Sequence, residues 1–124
     1  MAIARKDIAL SFLRAASSGN ARAACQKFVT PDFRHHNACF PGDAESLMHG
    51  MEENAAKFPN KALDVKRALE DGAFVAIHSH VRLKPGDRGV ALVHIFRFQD
   101  ERIVELWDVG QPVPENSPNR NGMF

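Results

Sequence analysis

The stretch Ala62–Gly110, ALDVKRALEDGAFVAIHSHVRLKPGDRGVALVHIFRFQDERIVELWDVG, decides the fold. Its apolar residues come in runs of strand length, rich in Val, Ile and Phe, separated by residues that favour turns. The runs predict four strands, at Leu63–Glu70, Phe74–Leu83, Val90–Phe98 and Ile103–Gly110. Between them stand Asp71-Gly72, Lys84-Pro85-Gly86-Asp87-Arg88 and Gln99-Asp100-Glu101, each short enough for a hairpin. An antiparallel meander follows.

Upstream the spacing is helical. Ile3, Ile8, Leu10, Phe12 and Leu13 fit one buried face of a first helix, which Ser18-Gly19-Asn20 ends. Asn20 is placed to cap a second helix through Ala21–Phe28, which Thr30-Pro31-Asp32 stops, since proline lacks an amide hydrogen. A short extended piece, Phe33 to Asn37, leads into Phe40-Pro41-Gly42-Asp43, where Asp43 caps a third helix through Leu47, Met48 and Met51 toward Lys57. Phe58-Pro59-Asn60 ends it. Three helices before a meander make an α+β domain whose helices cover one face of the sheet. The tail from Gln111 to Phe124, rich in proline and asparagine, has no periodicity and is expected to be irregular or to wrap across the surface.

With 124 residues, 44% of them apolar, the chain is sized for one domain and one core, residues 1–124. Sixteen basic residues face fifteen acidic ones with no long run of like charge, which removes the electrostatic footprint expected for nucleic acid. No apolar stretch approaches the roughly twenty residues of a membrane span, and the start, Met1-Ala-Ile-Ala-Arg-Lys-Asp, has no signal-peptide core. A cytoplasmic protein with two free thiols, Cys25 and Cys39, is expected.

Chemistry enters through the histidines. His78 and His80 are two apart in one strand and so share a face. A hairpin centred near Gly86 sets His94 opposite His78 on that face, three imidazoles on one wall. In the last strand Asp108 alternates with Trp107 and Val109, which groups it with Val104 and Leu106, a carboxylate among apolar neighbours. Desolvation strengthens a carboxylate as a base, and imidazoles donate hydrogen bonds, so the set suits proton removal next to a carbonyl. The same His78, His80, His94 and Asp108 are also ligand types that zinc or iron accepts, and a pocket that binds without turnover uses such groups equally well. On the opposite face Trp107, Ile103 and Val109 form an apolar stripe of the kind that pairs with another copy.

Three segments together resemble the bacterial SnoaL-like proteins predicted to catalyse aldol condensation, within the nuclear transport factor 2-like superfamily. They are Arg34-His35-His36-Asn37 with Pro41-Gly42, the hairpin around Val75–Val81 with Pro85-Gly86, and Ile103–Glu115; the ending Asn119–Phe124 is similar too. The resemblance runs from about Phe33 to the C-terminus and implies a cone-shaped α+β barrel: three helices on a strongly curved, mainly antiparallel sheet, often a homodimer through the sheet's outer face. It implies a polyketide cyclase-like lyase or isomerase acting on a small-molecule carbonyl substrate, without cofactor or metal. Asp108 matches the family's aspartate acid/base, and His94 falls where steroid isomerase relatives carry an oxyanion-stabilising acid. His80 is a second candidate donor. His36, Asn37 and His78 would complete a polar wall, with Phe96 and Leu106 as apolar lining. The chain has no tyrosine, so the tyrosine donor of the steroid isomerases has no counterpart and steroid isomerisation is disfavoured.

Overall fold

A computed structural model describes residues 3–124, which leaves Met1 and Ala2 of the N-terminal reading outside the described residues. Helix α1 spans Arg5–Ser17 and buries Ile8, Ala9, Phe12, Leu13 and Ala16, a stripe along one face. Ile3 does not join it: the residue precedes the helix and is 62% exposed. Gly19, at φ +95°, ends α1 in a Schellman turn, with the amides of Gly19 and Asn20 bonding to Ala16 O and Ala15 O. That turn explains why Asn20 does not cap α2 (Ala21–Phe28) with its side chain, which is drawn back to Ser18 Oγ instead.

Strand β1 is longer than expected. It begins at Val29, directly after α2, and runs to His35 with Pro31 inside it. Proline is tolerated because β1 is an edge strand and its register breaks between Val29 and Arg34. Asp43 caps α3 (Ala44–Lys57), accepting from Ser46 N at 2.9 Å, as the sequence predicts. The meander forms as β2 (Ala62–Asp71), β3 (Phe74–Arg82), β4 (Val90–Gln99) and β5 (Arg102–Pro112). The strand order is β1-β5-β4-β3-β2, and β1 lies parallel to β5, so the five-stranded sheet is mixed. β5 continues to Pro112, two residues into the segment expected to be irregular.

Two local irregularities decide which side chains face inward. The β3–β4 hairpin closes at Val81 opposite Val90, which pairs His94 with Ile77 and His78 with Val93. Expectation had paired His94 with His78. A slip of one residue exchanges faces, so His94 points inward while His78 and His80 point outward. Gly89 fixes this closure: at φ +79° it lies against Val81 O, and a Cβ there would come within 2.8 Å of His80 Nε2.

The second irregularity is a bulge between β4 and β5, where Arg97 pairs with Glu105 and Phe98 with Ile103. It turns Ile103 into the core, fully buried, and so removes it from the outer stripe predicted with Trp107 and Val109. The concave face then carries Val75, Ile77, Phe96, Phe98, Ile103 and Leu106 against Ile8, Phe12 and Leu13 of α1 and Leu47 of α3. Phe12 meets Phe96 edge to face at 5.9 Å.

Candidate functional site

Asp108 and His94 are direct cross-strand neighbours on the inner face. Asn37, in the loop after β1, reaches Asp108 and donates Nδ2–H to Oδ2 at 3.0 Å. The amide orientation is fixed from the other side, because Asn37 Oδ1 accepts the Cys39 amide at 2.9 Å. The loop is itself held by His35, whose Nδ1 accepts from Asn37 N at 3.1 Å, leaving Nε2–H to donate to Pro41 O at 2.7 Å. The chain of contacts thus runs from a buried imidazole through a fixed loop amide to the carboxylate.

His35 is therefore the inward member of the His35-His36 pair, where His36 had been expected. The reason is the parallel register: His35 stands opposite Leu106, an inner residue. His36 lies outside, its ring stacked on Trp107 at 5.0 Å and its Nε2 2.6 Å from Glu105 Oε2. Arg97 donates to the other oxygen of Glu105 at 2.9 and 3.0 Å, and Arg34 stands 3.4 Å away. These contacts, the His36 bond foremost, hold the Glu105 carboxyl below its ordinary range.

His94 is almost wholly buried, and its Nδ1 has no partner. Burial pushes its imidazole down to about 4; the nearby Asp108 charge opposes the shift and Lys61 adds to it. At neutral pH the ring is uncharged and so offers one N–H donor and one acceptor. Ser79, fully buried on β3 opposite Leu92, likewise has an unpartnered Oγ. Unpaired buried polar atoms cost stability, so two on one inner wall suit a site built for a ligand's polar atoms.

Beside His94 lies a cavity of about 80 Å³, walled mainly by Leu13, Met51, Leu63, Val81 and Leu92, with His94, Lys61 and Ser17 as its polar edges. Phe96 and Leu106, expected as lining, are on the inner face but sealed in the packed core. Lys61 was missed in the sequence because it sits between a helix stop and a strand start, where no periodicity assigns a direction. The outward His78 and His80 lie under the ring of Phe124, at 5.6 and 4.3 Å, and His80 Nε2 also meets Arg88 O at 2.6 Å. The four residues considered as metal ligands thus divide two and two across the sheet and cannot share one ion. No helix among the described residues is long and apolar enough to cross a membrane.

The SnoaL-like domain family matches residues 9–106, including α2 and all but the first turn of α1, which the sequence motifs left aside. No curated protein matches the chain. Among solved structures, wild-type IdmH of Streptomyces antibioticus, a proposed polyketide cyclase, superposes with a TM-score of 0.70 at 19% identity, over 88% of this chain and 93% of that one. A proposed isomerase of the SnoaL-like family from Agrobacterium tumefaciens gives 0.72 at 14% identity, over 88% and 99%. An NTF2-like protein from Cytophaga hutchinsonii gives 0.70 at 20% identity, over 90% and 94%. At these identities the likeness establishes the NTF2-like α+β cone as the fold.

Proposed function

The chain belongs to the SnoaL-like family, and from that premise we propose that it is a cofactor-independent lyase or isomerase that moves a proton next to a carbonyl. The observation that carries this reading is the inner-face pairing of Asp108 with His94, the histidine lining an apolar cavity. Asp108, oriented by Asn37, takes the proton from carbon. The neutral His94 ring donates its N–H to the oxygen on which charge develops, an interaction stronger in the transition state than in the ground state. Family relatives of similar fold include proposed cyclases and isomerases, which agrees with this chemistry.

Size narrows the substrate. Sites for drug-sized ligands run to roughly 300–1,000 Å³, against about 80 Å³ here. Only a small carbonyl group enters, not a fused polycycle. A binding protein without turnover is the competing reading, and an arginine clamped on the carboxylate would favour it. Arg97 is instead committed to Glu105. The test is deuterium uptake: small ketones incubated with the protein in deuterated buffer should exchange the protons beside the carbonyl well above the protein-free rate. Binding of such ketones without exchange would move the protein to the binding class.

We further propose that two copies pair through the outer sheet face. Phe74, Ile95 and Val109 are exposed there, and Trp107 lies 6.4 Å from Phe74. Sedimentation at micromolar concentration should return a dimer that Val109→Lys weakens; a wild-type monomer would remove the idea.

A further inference from the structure

Lys61 stands where two spaces meet. Outside it, a groove of about 480 Å³ runs between the α1–α2 turn and the end of α3, past Gly19, Ala55 and Phe58. Inside it lies the cavity that carries His94. Ser17 and Lys61 line both spaces, which puts them at the boundary between solvent and the inner wall.

The lysine is half-buried, and burial lowers its ammonium from the ordinary range. Among the described residues its bonded side-chain partner is Asn54, whose Oδ1 accepts from Nζ at 2.7 Å. An ammonium has three donors, so two remain for something else. The acid on the same groove does not use them, since Glu52 is held by Arg22 at 2.9 Å. A partly desolvated cation with spare donors at the mouth of an apolar cavity is suited to an anion, because charge-assisted hydrogen bonds strengthen as water is excluded.

The two volumes give the rest. The groove is large enough for most of a small ligand, whereas the inner cavity takes one end of it. Resting on the proton-transfer reading above, we propose that the substrate is a short carboxylic acid that carries a ketone a few carbons away. Its carboxylate rests on Lys61 at the mouth, and its carbonyl enters the cavity and meets His94. Lys61 is then a substrate-binding residue, and the acid end sets how deep the ketone reaches.

Levulinate (4-oxopentanoate) and its methyl ester test this, because they share the ketone and differ in the charge. Both are followed for deuterium uptake beside the ketone and, separately, for binding by calorimetry. The wild type should prefer levulinate in kcat/KM, and Lys61→Met should lower the levulinate value by about ten- to a hundredfold, collapsing the acid-to-ester ratio. Lys61→Arg should keep the preference, which a lysine needed only for packing would not explain. Equal wild-type rates on acid and ester, or equal losses on both in Lys61→Met, would overturn the inference while leaving proton transfer in place. If neither probe exchanges, binding decides. Levulinate binding weakened by Lys61→Met keeps the carboxylate site and discards the proton-transfer reading; binding that is absent or indifferent to Lys61→Met discards the carboxylate site.

Discussion

Asp108→Asn should lower the rate of deuterium exchange into small ketones by about a hundredfold to ten-thousandfold, the usual contribution of a positioned general base. The fold should survive, because the new amide is isosteric and its oxygen still accepts from Asn37 Nδ2, which donates to Oδ2 at 3.0 Å in the native protein. Nor does any arginine lose a partner, since Arg97 and Arg34 are turned to Glu105. Unfolding by urea should therefore give the variant a midpoint close to that of the native chain. A large loss of stability together with activity would mean that the carboxylate serves the fold. An unchanged rate would remove Asp108 from the chemistry.

His94 carries the second large effect, on stability against pH. Its imidazole, normally near 6.5, is pushed down to about 4 by burial, against the pull of Asp108 and with the help of Lys61. Between these two values the unfolded chain binds a proton that the folded chain refuses, so stability falls as pH drops from 6.5 toward 4. Two and a half units correspond to about 3 kcal/mol at most. Above pH 6.5 the residue contributes no slope. His94→Leu should flatten the profile in that interval. At neutral pH it should cost little stability, because Nδ1 has no partner to lose. Glu105 adds a separate loss at lower pH, since its carboxyl is held below its ordinary range. Coincident profiles for the native chain and His94→Leu between pH 6.5 and 4 would contradict the buried neutral ring.

The elements were legible in the sequence because their signals are local. Asp43 capping α3, the stops at Ser18-Gly19-Asn20 and Phe58-Pro59-Asn60, and the four apolar runs of the meander each depend on residues close in the chain. Faces depend on register, and register was set by details that local patterns do not display. The hairpin after β3 is centred between Pro85 and Gly86 rather than on Gly86, a one-residue slip in pairing that sends His94 inward and leaves His78 and His80 outward. A bulge beside Phe98 buries Ile103. Parallel pairing of β1 with β5 joins residues about seventy positions apart and puts His35, not His36, inside. Asp108 kept its place because its partner register with His94 is regular. Lys61 and Ser79 had no pattern to announce them; both emerge from what surrounds them once the helices cover the sheet.

The central claim is that Asp108 and His94 act together on one proton transfer. The most direct measurement is a double-mutant cycle on ketone exchange, with Asp108→Asn, His94→Leu and the pair combined. Groups that act as a unit are strongly non-additive. Each single variant should lose most of the exchange, and the double variant should fall little below Asp108→Asn alone. Losses that multiply, or a native rate in either single variant, would contradict it.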